Sequence, residues 1–336
     1  MSAQAPGAAV LVRPHHFHPN PQTQADNSFQ SAVVSGADAS LAAQAFDEVT
    51  AAAAALQAHG VTVHLFDDDR DVTPDSVFPN NWFSTHAGGH VALYPMYAPN
   101  RRSERRADIV ELLKERYRVQ DVIDYSGLEH DGIYLEGTGA MVLDHVSRVA
   151  YVARSNRADP IALERFCTNF GYEPLAFDAV DEAGRACYHT NVMMCIATDF
   201  ALIGLDMITS PERREEIALR LAAPGRVVLE LSPAQIRDFV GNAIELRGAN
   251  GRILALSRRA LNALAPEQIA TIEQSVEVVP LDVPTIELAG GSVRCMIAGI
   301  HLEARPGPVS PAATPHLAQD GGTAGNDAPG TRIYAA

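Results

Sequence analysis

The chain has 336 residues, 47% of them hydrophobic and 20% charged, which is enough apolar material for a packed core and allows one large domain or two small ones. Asp and Glu outnumber Lys and Arg by 41 to 26, a formal charge of −15 that repels phosphate backbones and argues against a nucleic-acid partner. No apolar run reaches the ~18–20 residues of a bilayer span; the N-terminus lacks a signal-peptide pattern, and the four cysteines form no C-x-x-C pair, so a cytoplasmic chain without disulfides or membrane contact is expected.

Residues 1–7 read as a disordered N-terminus. Short apolar runs at 8–12 and 61–66 predict strands on either side of a helix over 40–59. Strands follow at 90–94 and 119–123 around a helix over 101–116, then at 140–143, 149–152 and 172–177 with a helix over 160–170. The pattern continues with strands 191–197, 200–203 and 226–231, helices 211–222 and 232–240, strands 243–246, 253–256 and 276–280, and a helix over 266–274. Most runs are bounded by Gly, Pro, Asp or Asn, and several helices begin with Ser or Pro. Two close strands, a helix and a further strand recur about every 50–60 residues, which predicts internal structural repeats. No Gly-rich loop opens a helix after a strand, which disfavours a plain nucleotide-binding sheet. From 304 to 336 the chain is rich in Pro, Gly and Ala without apolar periodicity and reads as a disordered tail, leaving 8–303 as one domain.

Four segments place polar side chains where a core strand would exclude them. The run Pro74 to Phe83 (P-D-S-V-F-P-N-N-W-F) carries Asp75, Phe78, the adjacent amides Asn80 and Asn81, and the single tryptophan. Its Pro, Asn and Asp residues also suit a plain turn. Glu136 stands between Leu135 and a glycine before an apolar strand, either as a residue that opens the strand or as a partly buried carboxylate facing a polar substrate. His189 and Asn191 are two apart, a spacing that puts both on one face of an extended segment. In A-G-G-S-V-R-C-M, the paired Gly290 and Gly291 let the backbone turn sharply or approach a ligand. Cys295 follows beside Arg294, and a nearby cation lowers a thiol pKa. Cys167 and Cys195 fall in apolar patterns and read as core. A cysteine, a histidine and a carboxylate at strand ends make a candidate nucleophile, acid–base and orienting set.

These segments resemble the guanidine-modifying superfamily, which includes arginine deiminase, dimethylarginine dimethylaminohydrolase and amidinotransferases. D-S-V-F-P-N-N-W, L-E-G-T-G, Y-H-T-N and G-G-S-V-R-C-M occur in the family's order across about residues 8–303, and the branch most resembled is that of the citrulline-utilisation hydrolases. The resemblance implies an α/β fold, a five-bladed α/β propeller with pseudo-fivefold symmetry, in keeping with the repeats. It also implies a central cavity that uses no metal and no cofactor. There Cys295 attacks the central carbon of a guanidino or ureido group, His189 protonates the leaving nitrogen and then activates water, and Glu136 holds substrate nitrogens. Asn81, Asn191, Asp75 and Phe78 join the substrate-binding set. The segment A-R-S-N-R-A resembles the family's G-x-S-x-R-T element and places Arg157 near the substrate carboxylate, with Arg101 and Arg102 as a second basic pair.

Two positions depart from the family's pattern. Relatives that act on arginine carry an acid where this chain has Asn81, and often another where it has Asn191. Amides cannot neutralise a guanidinium, but they donate to a ureido oxygen and accept from its N–H groups. An unpaired cation in a desolvated pocket costs several kcal/mol. The expected reaction is therefore citrulline to ornithine, carbon dioxide and ammonia. Asn81 also resembles the asparagine of the arginine dihydrolases, the alternative reading, and Asp75 supplies one negative charge that keeps arginine open as substrate for a dihydrolase, a deiminase or a dimethylarginine hydrolase. A non-catalytic binding scaffold is the alternative of another class, against which the joint presence of Glu136, His189 and Cys295 counts. Beyond a small amino-acid substrate, a homodimer is compatible with the sequence. The cluster His15, His16 and His18 matches no structural zinc spacing and reads as a loop at the cavity mouth. The run R-R-S-E-R-R from Arg101 reads as a solvated helix face with one substrate-anchoring arginine.

Overall fold

The apolar runs form strands that are hydrophobic on both faces, and the architecture follows from how those faces are covered. A computed structural model describes residues 4–31 and 39–306. The strands assemble into five sheets of three strands. The first contains β1 (Ala8–Pro14), β2 (Thr62–Asp68) and the last strand, β15 (Ala298–Ile300). The second contains β3 (Phe83–His86), β4 (His90–Leu93) and β5 (Asp121–Asp124); the third β6 (Met141–Asp144), β7 (Val149–Ala153) and β8 (Glu173–Phe177). The fourth holds β9 (Met194–Ile196), β10 (Phe200–Ile203) and β11 (Val227–Glu230), and the fifth β12 (Ile244–Arg247), β13 (Arg252–Ser257) and β14 (Glu277–Leu281).

Every sheet has the same order. Its middle strand runs antiparallel to one neighbour and parallel to the other. A parallel pair needs a crossover, and helices supply it. These are α1 (Ala39–Ala58), α2 (Ala107–Arg116), α4 (Pro160–Phe170), α5 (Pro211–Ala222), and the pair α7 (Arg258–Ala263) and α8 (Pro266–Ile272). The short helices α3 (Gly137–Ala140), α6 (Pro233–Arg237) and α9 (Val293–Met296) lie outside these crossovers.

Each middle strand is buried on both sides. In β1, Ala8, Val10 and Val12 pack with Trp82, Phe83 and Val91 of the second sheet, while Ala9 and Leu11 pack with Leu246, Ile253 and Val279 of the fifth. In β7, Ala150 and Val152 turn to the second sheet's Ala92, and Val149 and Tyr151 to the fourth sheet's Ile196 and Phe200. Leu254 and Leu256 of β13 join the cluster shared with the fourth sheet. Side chains alternate across a strand, so two-sided burial demands a continuous apolar run and not an alternating one. The sheets therefore neighbour one another in a cycle, and the pairing of Ala8 with Ile300 and Val10 with Ala298 brings both ends of the chain into one sheet.

Several expectations need correction. The predicted helix over 101–116 is two elements: a 3-10 turn Pro99–Glu104, extended backbone at Arg105 and Arg106, and then α2. The R-R-S-E-R-R run is no solvated face, because Arg101 and Glu104 are buried as a pair and Arg105 is held by Glu129. The strands β3 and β15 were not expected. The first is polar in sequence, yet Ser84 Oγ lies 2.7 Å from His86 Nε2 and 2.6 Å from Tyr94 OH, so the Ser84 hydroxyl and one His86 nitrogen find partners inside, while His86 Nδ1 has none among the described residues. The N-terminus is not loose from Gln4 onward. Gln4 Nε2 donates to Leu143 O (3.0 Å) and Ile196 O (3.1 Å), and its Oε1 accepts from His145 N (2.9 Å). The described residues from Gln4 to Ala304 form one compact unit; of the expected C-terminal tail, 307–336 lie outside the described residues. No described helix is long and apolar enough to cross a membrane.

The third and fourth sheets are joined by a buried ion pair. Arg226 Nη2 meets Asp144 Oδ1 at 3.0 Å, and Arg226 Nε donates to Ala197 O at 2.8 Å. Burial opposes ionisation of Asp144, but Arg226 and the Ser147 contacts hold its carboxyl below the usual range. Arg226→Ala strands that charge and is expected to cost about 3–5 kcal/mol in urea unfolding. The double variant Arg226→Met with Asp144→Leu should recover much of the loss, and a single variant as stable as the wild type would refute the assignment.

Candidate active site

The chemistry-bearing residues gather because the first strand of four sheets and the last strand of the chain are each preceded by a tight turn. A 3-10 turn, Pro79–Asn81, leads into β3; α3 leads into β6; a 3-10 turn, Thr190–Val192, leads into β9; and α9 leads into β15. Before β12 the chain turns at Phe239, closed by Asn242 N donating to Phe239 O at 2.9 Å. Asn81, Glu136, His189, Asn191, Asn242 and Cys295 all lie on or directly beside these turns. His189 and Asn191 therefore do not share one extended face: His189 is extended, and Asn191 is inside the 3-10 turn.

A narrow cavity is lined by Asp75, Phe78, Asn81, Arg101, Arg157, Tyr188, His189 and Cys295, with Thr23 and Asn27 from the loop after β1. Beneath it lies the Glu136 carboxylate, fully buried. It accepts from Tyr97 N at 3.0 Å and from His189 Nε2 at 2.8 Å, with Arg157 Nη1 at 3.4 Å and Arg101 Nη1 at 3.6 Å. Burial opposes its ionisation, yet Arg157, His189 and Arg101 together outweigh this and hold the carboxyl far below the usual range. His189 is pushed down to about 4, first by burial and further by Arg157 and Arg101, against the opposing pull of Glu136. The imidazole is thus neutral near pH 7. Its Nε2–H donates to Glu136, leaving Nδ1 as the nitrogen able to take a proton.

Arg101 and Arg157 both reach the cavity, and both are already engaged. Arg101 forks onto Glu104 (Nε to Oε1 3.1 Å, Nη2 to Oε2 2.9 Å) and donates through Nη1 to Asn81 Oδ1 at 2.9 Å. Arg157 forks onto Asp26 (Nε to Oδ2 3.0 Å, Nη2 to Oδ1 2.5 Å) and lies over the Tyr188 ring at 4.9 Å. Asp75 accepts from Asn20 Nδ2 at 2.8 Å and stands 3.6 Å from Arg101 Nε.

Cys295 lies on α9, buried, after Gly290 turns the chain at φ 81°. Its sulfur is contacted by two amides, Asn191 Nδ2 and Asn242 Nδ2, each at 3.3 Å. Arg294 couples electrostatically to the thiol, but its guanidinium donates to Ile297 O at 2.9 Å and lines a different cavity with His86, His145 and His301. Burial pushes the other three thiols, Cys167, Cys187 and Cys195, up to about 12.

Of the predicted site residues, Asp75, Phe78, Asn81, Arg101, Arg157, His189 and Cys295 meet at the cavity. Glu136 lies under His189, and Asn191 lies behind the sulfur. Arg102 does not join them. It donates to Met96 O at 3.2 Å and pairs loosely with Glu129 at 3.7 Å. His15, His16 and His18 line a separate surface hollow with Phe17 and Phe46. Among the described residues, no three His, Cys, Asp or Glu side chains are arranged to hold a metal. Sequence reasoning missed Glu104, Asp26 and Asn242. Asn242 had a signal: it lies 51 residues after Asn191 and 53 before Cys295, on the same repeat that predicts the sheets.

Two outcomes are expected from this geometry. A Cβ on Gly139 would sit 2.2 Å from Asn81 Nδ2 and 2.9 Å from His189 Nδ1. Gly139→Ala should therefore displace both side chains, cost about 1–3 kcal/mol and lower turnover more than substrate affinity; a variant with wild-type kcat would contradict the close approach. The second concerns acid. Burial pushes His86 and His145 well below the usual histidine range, as it does His189. Unfolded histidine titrates near ~6.5, so the unfolded chain takes up protons that the native state refuses. Stability is full above that pH and is lost as pH falls from about 6.5 toward 4. Tm should drop across this window, less steeply in His189→Asn, and a flat profile would refute it.

A family profile described as N,N dimethylarginine dimethylhydrolase, eukaryotic, matches residues 13–302. No curated protein matches the chain by sequence. Among solved structures, the apo form of ArgZ, an arginine dihydrolase from the ornithine–ammonia cycle in cyanobacteria, superposes with a TM-score of 0.67 at 16% identity over 88% of this chain. This chain spans only 40% of that protein's length. The N-terminal domain of ArgZ bound to substrate gives 0.65 at 16% identity, covering 88% of this chain and 98% of that domain. DDAH from Pseudomonas aeruginosa, complexed with citrulline, gives 0.58 at 16% identity, with 88% and 100% covered. These likenesses show a shared α/β fold, and the profile match over residues 13–302 shows more: the protein belongs to the N,N dimethylarginine dimethylhydrolase family, among the hydrolytic enzymes of the guanidine-modifying superfamily.

Proposed function

We propose that this enzyme hydrolyses the ureido group of free citrulline, giving ornithine, carbon dioxide and ammonia, with Cys295 as nucleophile and His189 as acid and base. The observation that carries the reading is the pair of neutral amides on the Cys295 sulfur, Asn191 and Asn242, each at 3.3 Å. A guanidinium seated on that sulfur would meet no carboxylate among these contacts. Asn81 adds to the bias, because its Oδ1 is spent on the Arg101 guanidinium at 2.9 Å, so a cation lies directly behind the amide. A neutral ureido group avoids both penalties.

The proton inventory is consistent with this. His189 is neutral at rest, so it first takes the proton that leaves the thiol, and Glu136 stabilises the imidazolium formed. The thiolate attacks the ureido carbon to give a tetrahedral centre. The bond from that carbon to the side-chain nitrogen then breaks, His189 gives its proton to the departing ornithine, and a carbamoyl thioester remains on Cys295. Water, deprotonated by His189, attacks the thioester and releases the thiol and carbamate, which breaks down to carbon dioxide and ammonia. Glu136 serves His189 here and does not hold substrate nitrogens, because its oxygens are already taken by His189, Tyr97 and two arginines. For the architecture, we place the five sheets as blades of a closed α/β propeller with pseudo-fivefold symmetry, residues 8–303 forming its catalytic domain. The cyclic order of the apolar clusters and the pairing of β15 with β1 support this.

One observation favours arginine as the second reading. Asp26, Asp75, Glu104 and Glu136 surround only Arg101 and Arg157, so the site carries excess negative charge. The α-ammonium of either amino acid can answer it, but so can a guanidinium. The cyanobacterial neighbour ArgZ is an enzyme of this kind, an arginine dihydrolase.

Steady-state kcat/KM for citrulline and arginine separates the two. Citrulline should be the better substrate, and Asn81→Asp combined with Asn191→Asp should narrow or reverse the order by repelling the ureido oxygen. Ready turnover of arginine with none of citrulline would replace the first reading by the second. Cys295→Ser should fold normally and lose nearly all turnover with either substrate.

A further inference from the structure

We propose that Asn242, together with Asn191, stabilises the thiolate that forms when Cys295 gives up its proton, by direct amide N–H donation to the sulfur. The inference rests on the reading of Cys295 as nucleophile and deepens it. A guanidinium substrate brings its own positive charge to an attacking sulfur, whereas a ureido group brings none. An enzyme for the neutral substrate must therefore stabilise the thiolate from the protein side.

The orientation of the Asn242 amide is fixed by its other contacts. Oδ1 accepts from Arg294 N at 3.1 Å, and Nδ2 donates to Asn191 O at 2.9 Å. Exchanging O and N would set a carbonyl oxygen against the Asn191 carbonyl and an amide against the Arg294 N–H. The amide nitrogen consequently faces Sγ, at 3.3 Å. Asn191 Nδ2 reaches the same sulfur from a different turn, also at 3.3 Å, while its Oδ1 has no partner. The opposite orientation would press that oxygen against the sulfur lone pairs and leave the NH2 group unpaired instead. Both side chains are withdrawn from water.

Two N–H donors on one sulfur favour its charged form, since a thiolate accepts strongly and a thiol weakly. The donors come from the turns before β9 and β12, while the sulfur comes from the turn before β15. The pair is thus a product of the repeat: three successive turns of the chain converge on one atom. Arg294 contributes a further positive charge through its coupling to the thiol, without touching the substrate cavity.

The test is the pH dependence of iodoacetamide alkylation at Cys295, followed by peptide mass spectrometry on the whole protein, with no substrate present. Asn242→Ala removes the donor. Asn242→Asp keeps the shape and the acceptor for Arg294 N but replaces the donor with an anion. Asn191→Ala removes the second donor from a separate turn, and decides the matter if the Asn242 variants do not fold. The midpoint of the profile should move upward in each, and below the midpoint the rate should fall about tenfold in the alanine variants, the change expected for one pKa unit. A purely structural amide would leave the profile of a folded Asn242→Ala variant on the wild type's. Folded variants whose profiles superimpose on the wild type's overturn the amide pair while leaving the nucleophile in place. A wild-type Cys295 that reacts no faster than Cys167, Cys187 and Cys195 overturns both.

Discussion

The Glu136 carboxylate is the point on which the site depends. A carboxylate withdrawn from water is tolerable only when donors from the protein replace its hydration. Here four donors from three separate segments supply them: the Tyr97 backbone with Arg101, then Arg157, and His189. Each donor is held in turn by another group. Arg101 is forked on Glu104 and Arg157 on Asp26, so the charge alternates outward from Glu136 through two arginines to two more acids. Moving any one of these groups would leave a neighbour charged and unpaired in a dry interior. That coupling fixes the imidazole of His189 in position and tautomer, and gives the site its rigidity before any substrate arrives.

The same arrangement separates charge by function. Around Glu136 the site is densely ionic, while around Cys295 Sγ the hydrogen-bonding contacts are neutral amides. An amino-acid substrate has a zwitterionic end and a reacting end, and the two halves of the site differ in the matching way. The ionic half includes Arg101 and Arg157 on the cavity wall beside Asp75, and the amide half surrounds the Cys295 sulfur. This division, more than any single residue, is what the proposed reading of a neutral ureido substrate rests on.

The repeat explains how residues scattered from 75 to 295 reach one cavity. In each sheet the middle strand is covered on both faces by neighbouring sheets, so the turns before the first strands are brought inward together. The polar residues on those turns then face one another, not solvent. Burial of the turns has a cost in backbone hydrogen bonding, which short 3-10 and α turns meet internally, as in Cys295 N to Ser292 O at 3.0 Å and Met193 N to Thr190 O at 3.1 Å.

Much of this was legible in the sequence. The middle strands are continuous apolar runs because they are buried on both faces, and such runs can be read without knowing what covers them. α4 and α5 were expected at the bounds observed, since Pro after Asp159 or Ser210 and an amphipathic face are local signals. The polar interruptions at Asn81, Glu136, His189 and Cys295 marked the site for the same local reason. What the sequence could not convey was which polar group meets which. The sequence pairs Cys295 with its neighbour Arg294, but the fold turns that guanidinium away and sets two asparagines, 104 and 53 residues distant, on the sulfur. The sequence offers Arg102 beside Arg101 as an equal partner, but only one of two adjacent side chains can turn inward at that turn, and Arg102 is spent on Met96 O. The polar strand β3 escaped notice because its Ser84 hydroxyl is bonded inside to His86 Nε2 and Tyr94, partners its sequence does not announce. Composition and periodicity are properties of neighbours along the chain, so they fix the strands, the repeat and the residue types at the site. Hydrogen-bond partnership and charge compensation are properties of neighbours in space, so only the packed sheets decide them.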